Sequence, residues 1–194
     1  MGGQAVSVAI KVFGRQSLFK DWFDRRNGSK AARSYHGGAF LYQKALGTAE
    51  PIAWLDRWDD GRLVESYYLC IHVAAPCFRD ALIQIYEQEQ NNAGMMALLH
   101  KVAPALRRLH EAGFMHGDLG NQNILVPKSS AGTYLEPLFI DLNRSQYASA
   151  PLGDRERAHD LARIALPGAY LDIFKMIYNH HQNLPEPLAW LEKK

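Results

Sequence analysis

Apolar and polar residues alternate along the first third of the chain in a way that predicts three strands. Residues 6–13 are mostly β-branched and apolar, with glycines on either side, as is typical of a strand. Two further runs, 51–58 and 62–73, are separated by an Asp-Asp-Gly turn that favours a β-hairpin. Between the first strand and this hairpin, residues 29–46 have a helical composition, with Ser29 as the predicted N-cap.

Helical periodicity dominates the remainder of the chain. Helices are predicted over residues 79–90, 92–112, 154–165 and 169–180. The second helix carries apolar residues three and four positions apart, and Gly113 is a typical residue with which to end it. Two short apolar strands, 124–126 and 138–140, interrupt the helices. We therefore predict a small sheet followed by a mainly helical part, with a cleft between them.

Length and composition narrow the class of protein. The chain of 194 residues has room for one domain or two small ones. With 47% hydrophobic and 22% charged residues it is typical of a folded protein, which excludes a disordered or fibrous one. The first apolar stretch is interrupted by Lys11, and no charge-free run approaches the roughly 20 residues of a membrane span. We therefore expect a soluble cytoplasmic protein.

The net charge of +2 gives no reason to expect a nucleic acid as partner. The charge is nevertheless uneven, because residues 25–49 contain no acidic residue and residues 1–33 contain seven Lys or Arg against two Asp. A basic surface there favours an anionic partner such as a nucleotide, a phosphosugar or a membrane headgroup. A solvated basic face without a partner is the alternative.

Three polar residues beyond the helix over 92–112 have the chemistry of a phosphoryl-transfer site. Asp118 lies in a loop, and its carboxylate can accept a proton from an attacking hydroxyl. Asn123, five residues later, offers an amide oxygen that can reach a divalent cation bridging phosphates. Asp141 follows the strand 138–140, where its carboxylate can hold Mg²⁺. A hairpin between the two short strands would bring both acids to one cleft.

These residues resemble the motifs of the protein-kinase-like fold. The sequence HGDLGNQN at 116–123 is similar to the H-x-D-x-x-x-x-N catalytic loop, and DLN at 141–143 takes the place of D-F-G. The sequence VAIK at 8–11 matches the strand whose lysine pairs with nucleotide phosphates. Each match is weak alone, but the three occur in the order of the fold, with a hairpin and a long helix between the first and the second.

Gly117 stands where protein kinases have arginine, as in small-molecule phosphotransferases. No A-P-E motif follows Asp141, which disfavours a kinase that acts on proteins. The run RAHDLAR at 157–163 and the short tail most resemble the lipopolysaccharide Kdo/heptose kinase family. The resemblance covers about residues 6–178. It implies transfer of the ATP γ-phosphate to a sugar hydroxyl of the lipopolysaccharide core or a related small molecule.

The resemblance also implies an architecture. It predicts an α+β, protein-kinase-like fold in a single domain over residues 1–194. A small antiparallel-sheet N-lobe, truncated, would occupy residues 1–73, and a mainly helical C-lobe residues 74–194.

Roles for individual residues are implied in the same way. Asp118 would be the catalytic base, Asn123 and Asp141 would hold Mg²⁺, and Lys11 would bind the α- and β-phosphates of ATP. The strand that ends near Val73 would lead into the hinge whose backbone meets adenine. The implied partners are ATP and a sugar or glycolipid acceptor, with peripheral contact to the anionic inner membrane and no nucleic acid.

Three further residues near these motifs carry expectations. His116 is expected to pack and hydrogen-bond behind the loop, and Asp160 to brace it. Arg144 leaves two interpretations open, since it could contact a phosphate or form a surface salt bridge.

Two features of the kinase pattern are missing. Only ten residues precede Lys11, too few for a glycine-rich hairpin, and residues 25–49 offer no Glu to pair with that lysine. We therefore expect either a chain truncated at its N-terminus or a degenerate kinase. The alternative function is that of a non-catalytic, pseudokinase-like binding or scaffold protein.

Overall fold

The described residues of the computed structural model are 6–14 and 18–179. They form a mixed fold of helices and small antiparallel sheets, as predicted. The strands are β1 (Val8–Phe13), β2 (Pro51–Asp59), β3 (Arg62–Ile71), β4 (Phe114–Met115), β5 (Ile124–Leu125), β6 (Leu138–Phe139) and β7 (Gln146–Tyr147). The helices are α1 (Leu18–Asn27), α2 (Lys30–Gln43), α3 (Phe78–Ile83), α4 (Asn92–Glu111), α5 (Asp154–Leu161) and α6 (Gly168–Tyr178). A π-helical turn (Gln84–Glu89) and two 3₁₀ turns (Asn121–Asn123 and Leu142–Arg144) complete the assignment.

The first sheet has the strand order β1-β3-β2, and both neighbouring pairs are antiparallel. The predicted hairpin of β2 and β3 is confirmed. Its turn places Asp60 and Gly61 at positive φ, the conformation that two-residue hairpin turns require. On the other side of β3, Lys11 pairs with Tyr68. This register brings both side chains to the wall of the same cleft.

Helix α2 connects this sheet to the second half of the chain. Its predicted N-cap, Ser29, is buried and accepts a hydrogen bond from the Ala32 amide at 2.9 Å. The helix packs against β2 and β3 on one side and against the turn Leu142–Arg144 on another. It therefore fixes the position of that turn relative to the sheet.

The long helix α4 lies at the centre of the hydrophobic core. The apolar residues on one face of this helix are buried and pack with aromatic side chains from several other elements, because a 3.6-residue period turns that face inward. Asn91 caps the start of the helix by accepting from the Gly94 amide at 2.9 Å. Gly113, at φ +78°, follows the end of the helix, as the sequence predicted.

Two very short sheets place the functional loops beside each other. Strands β5 and β6 form the predicted antiparallel pair, with Ile124 opposite Phe139. Strands β4 and β7 form a pair that the sequence pattern did not predict. Together they hold the loop 116–123 next to residues 141–145.

The segment between β3 and α3 contains residue 73, where we placed the boundary between the two lobes. Residue 180, the predicted end of the last helix, lies outside the described residues. None of the described helices has the length and apolar character needed to span a membrane.

Candidate functional site

A cleft of 380 Å³ lies between the first sheet and the β5–β6 pair. Four of the five predicted site residues line it: Lys11, Val73, Asn123 and Asp141. Most of its surface is apolar, and the polar groups are few, which is typical of a small-molecule site. The fifth predicted residue, Asp118, is connected to the cleft through Asn123, whose Nδ2 donates to the Asp118 carbonyl oxygen at 2.8 Å.

Lys11 and Asp141 form an ion pair across the cleft. The Lys11 Nζ lies 2.5 Å from Oδ1 of Asp141, and the two side chains are 41% and 32% exposed. The Asn143 Nδ2 donates to the same carboxylate oxygen. Both charged groups therefore remain accessible to a ligand that enters the cleft.

Asp141 has a left-handed backbone conformation, with φ +62° and ψ +50°. Few residues other than glycine adopt it; Asp and Asn are the least disfavoured because their short polar side chains can hydrogen-bond locally. The Asn143 contact supplies that local hydrogen bond. The conformation turns the chain sharply after β6 and leaves the Asp141 carboxylate at the mouth of the cleft.

Gly117 allows the loop 116–123 to approach the next turn of the chain closely. Its φ is +75°, and a Cβ atom there would lie 2.5 Å from the Arg144 carbonyl oxygen. That separation is far below a normal van der Waals contact, and the opposing atom is backbone. Glycine is therefore required sterically at position 117 by the packing of the loop against residue 144.

Asp160 braces this loop from below, as predicted. Its carboxylate is buried and accepts from the amides of His116 at 2.7 Å and Gly117 at 2.8 Å. The ring of His110 contacts the same carboxylate at 3.3 Å, and its other nitrogen meets the Tyr178 hydroxyl at 2.6 Å. Burial alone would raise the pKa of Asp160, but these hydrogen bonds hold it below its usual value.

His116 is structural in the manner that the sequence predicted. Its ring is fully buried, and its Nδ1 accepts from the Asp118 amide at 3.3 Å. Its Nε2 then carries the proton and donates to the Ile140 carbonyl at 2.9 Å. Burial lowers the pKa of His116, so the neutral form that makes both contacts is favoured. The ring thereby joins the loop carrying Asp118 to the residue immediately before Asp141.

The Asp118 carboxylate is held by two arginines. Arg163 contacts its Oδ1, and the Arg144 Nη1 lies 3.4 Å from its Oδ2. The Asp118 side chain is 22% exposed. Each of its carboxylate oxygens thus has a guanidinium partner.

The donor set at the cleft is suited to Mg²⁺. A carboxylate from Asp141 and the amide oxygen of Asn123 are hard oxygen ligands, and Mg²⁺ is commonly bound by one or two protein groups together with phosphates and waters. The described residues contain no cluster of three or more His, Cys, Asp or Glu able to hold a metal ion. Two protein ligands are sufficient for a cation that arrives with a nucleotide.

Helix α2 packs against β1, the strand that carries Lys11. Helix α2 contains no Asp or Glu, in agreement with the missing glutamate. Gly38 of α2 lies against the sheet instead, with Tyr68 close to it: a Cβ on Gly38 would be 3.1 Å from the tyrosine hydroxyl. Burial raises the pKa values of both Tyr68 and its neighbour Cys70, which keeps both side chains uncharged at neutral pH.

The sequence interpretation did not assign a role to Arg163. This residue lies 45 positions after Asp118, and only the fold brings the two together. The run at 157–163 contained the signal, since it supplied both the bracing Asp160 and Arg163. Arg144, for which two interpretations were open, forms an ion pair with Asp118.

Comparison with known proteins gives two findings. The lipopolysaccharide kinase (Kdo/WaaP) family matches residues 79–167, a segment that includes both functional loops. The structure of WaaP in complex with acyl carrier protein is similar to this chain, with a TM-score of 0.65 and 23% identity over 84% of this chain and 74% of that one. This structural likeness supports a common fold. No curated protein sequence matches the chain.

Proposed function

We propose that this chain, whose residues 79–167 match the lipopolysaccharide kinase (Kdo/WaaP) family that its motifs resemble, is an ATP-dependent phosphotransferase. The acceptor in this proposal is a sugar hydroxyl of the lipopolysaccharide core or a related small molecule. The observation that supports it best is the convergence of Lys11, Asn123 and Asp141 on one cleft, with Asp118 attached to Asn123.

In this proposal the cleft binds ATP. Lys11 contacts the α- and β-phosphates, and the backbone near Val73 meets adenine at the end of β3. The chain is then one kinase-like domain, with residues 1–73 as its N-lobe and residues 74–194 as its C-lobe. Lys11 and Asp141 must exchange their mutual ion pair for phosphate and metal contacts when the nucleotide enters.

Asn123 and Asp141 would hold Mg²⁺, which supplies neutralisation of the charge on the phosphates. The hydrogen bond from Asn123 Nδ2 to the loop leaves the amide oxygen as the atom able to ligate a cation. The left-handed turn at Asp141 presents the second ligand from the neighbouring strand, at the same end of the β5–β6 pair as Asn123.

Asp118 would act on the acceptor. Its carboxylate orients the sugar hydroxyl and takes its proton as the acceptor oxygen bonds to the γ-phosphorus. The bond from that phosphorus to the bridging oxygen breaks, and its electron pair leaves with ADP. Positioning and charge neutralisation supply most of the rate, because the protein forms no covalent bond with the phosphoryl group.

A glycolipid acceptor would place the enzyme at the inner face of the inner membrane, in peripheral contact with anionic lipids. The basic, acid-free segment at 25–49 supports this part of the proposal by its charge.

A second candidate function is a non-catalytic binding protein of the same fold. Two observations favour it: α2 offers no carboxylate to Lys11, and both oxygens of Asp118 are paired with arginines. The two candidates differ in turnover, which only the first predicts.

The experiment is a phosphoryl-transfer assay with γ-labelled ATP, Mg²⁺ and purified lipopolysaccharide core. We expect the wild type to label the acceptor and Asp118→Asn to lose at least 99% of that activity while it binds ATP as before. Asp60→Asn, an exposed acid in the hairpin turn, is the matched control and should keep full activity. Retained transfer in Asp118→Asn would contradict the role of Asp118, and absence of transfer in the wild type would favour the binding protein.

A further inference from the structure

Arg144 and Arg163 form a basic pair beside the proposed catalytic base. Their side chains are 59% and 53% exposed, whereas the Asp118 carboxylate that they share is 22% exposed. Two guanidinium groups present ten N–H donors, and one carboxylate can satisfy only some of them. The pair therefore carries one unit of positive charge beyond what Asp118 neutralises, with donors facing solvent.

Both arginines are attached firmly to the loop that carries Asp118. The Arg144 backbone lies against Gly117, so closely that no side chain fits between them. Arg163 lies two residues before Ala165, whose carbonyl and amide both bond to the side chain of Asn121, at 2.6 and 3.2 Å. The two guanidinium groups thus reach different carboxylate oxygens of Asp118 from fixed backbone positions.

We propose that Arg144 and Arg163 form the anion-recognising part of the acceptor site. This inference rests on the proposed function and deepens it: the acceptor would carry a carboxylate or a phosphate near the hydroxyl that becomes phosphorylated. The anionic group takes over the guanidinium donors, because arginine pairs equally well with either anion in bidentate geometry. Asp118 is then released to hydrogen-bond the acceptor hydroxyl.

The same exchange of partners makes the site selective for acidic acceptors over neutral ones. With no anion present, both carboxylate oxygens of Asp118 are occupied by arginines, so a neutral sugar or water competes with two charge-assisted contacts for the base. An acidic acceptor carries the anionic group that releases Asp118 from the two arginines. The arginine pair is therefore specificity-determining.

The test compares three forms of a lipopolysaccharide core acceptor: intact, dephosphorylated, and with its carboxyl groups reduced to alcohols. For the wild type we expect kcat/KM to fall roughly tenfold to hundredfold on the form that has lost the recognised anion, the range of a charge-assisted hydrogen bond. The form that shows the fall identifies whether the anion is a phosphate or a carboxylate. Equal use of all three forms would overturn the inference.

Arginine variants make the test specific. Arg163→Gln and Arg144→Gln should lose a similar factor on the intact acceptor and should use the neutralised acceptor at least as well as the wild type does. Arg155→Gln, an exposed arginine of α5, is the control and should behave as the wild type on every form. A loss of equal size on all acceptors, or weaker ATP binding in Arg163→Gln, would show that the pair serves the donor and would overturn the inference.

A binding measurement separates this inference from the proposed function. Inorganic phosphate is titrated in the presence of Mg²⁺ and a saturating non-hydrolysable ATP analogue. We expect phosphate to bind to the wild type and to Arg155→Gln but not to Arg163→Gln. If no acceptor is phosphorylated, the proposed function fails, but the titration still tests whether the arginine pair binds an anion. Equal phosphate binding by all three proteins would overturn the inference.

Discussion

Gly117 shows how a single missing side chain shapes the candidate site. The position has two requirements, a positive φ and an open space where the Cβ would otherwise meet the Arg144 carbonyl. Gly132 offers a comparison, since its φ is +78° with nothing within 4 Å of an added Cβ. The backbone strain is common to both glycines, while the steric conflict belongs to Gly117 alone.

We therefore predict that Gly117→Ala lowers the free energy of unfolding by about 2–4 kcal/mol and Gly132→Ala by only about 1 kcal/mol. The first substitution adds a clash between two backbone segments to the strain of an alanine at positive φ. Urea unfolding of the two variants and the wild type measures the difference. Equal losses would show that the loop and residue 144 are not in the close contact described.

At the scale of elements, the loop 116–123 is stabilised from behind by buried polar groups. His116 joins this loop to the residue that follows β6 through the Ile140 carbonyl, and it does so in its neutral form. Burial lowers the pKa of His116 from its usual value near 6.5. Around and below that pH the unfolded chain therefore binds more protons at this residue than the folded chain does, so the free energy of unfolding falls as the pH falls.

The corresponding prediction concerns stability between pH 7 and pH 5. We expect the free energy of unfolding to decrease over this range in the wild type, and the decrease to be smaller in His116→Gln. His100→Gln, which changes an exposed histidine of α4, is the control and should keep the slope of the wild type. Urea unfolding at half-unit pH intervals gives the three slopes. If the slope is identical in all three proteins, the buried neutral His116 is not its source.

The elements that were predicted correctly are those encoded by neighbouring residues. The hairpin depended on the residues of its own turn, with Asp60 and Gly61 at positive φ, and α4 on the spacing of its apolar residues. The pair β4–β7 was not predicted, because a strand of two residues is too short to show an alternation of apolar and polar positions. The same holds for the contact between Arg163 and Asp118, which depends on how α5 packs beneath the loop.

The whole molecule brings together groups that are far apart in the sequence. Lys11 comes from the edge strand of the first sheet and Asp141 from the turn after β6, and they meet at 2.5 Å. The sequence predicted that Asp118 and Asp141 would be brought to one cleft. The structure places Asp141 there together with Lys11 and Asn123, while Asp118 does not line the cleft and is joined to it through Asn123. The roles of Lys11, Asn123 and Asp141 in binding ATP and Mg²⁺ stay predictions, because they are implied by the order of the motifs.

The most direct measurement is a calorimetric titration of this chain with ATP, with and without Mg²⁺. The account predicts binding that depends on Mg²⁺ and that weakens at least about tenfold, or 1.4 kcal/mol, in Asp141→Asn. Asp60→Asn is the matched control, since both aspartates have a positive φ that asparagine also tolerates. ATP binding that ignores Mg²⁺ and survives Asp141→Asn unchanged, or no binding at all, would contradict the account.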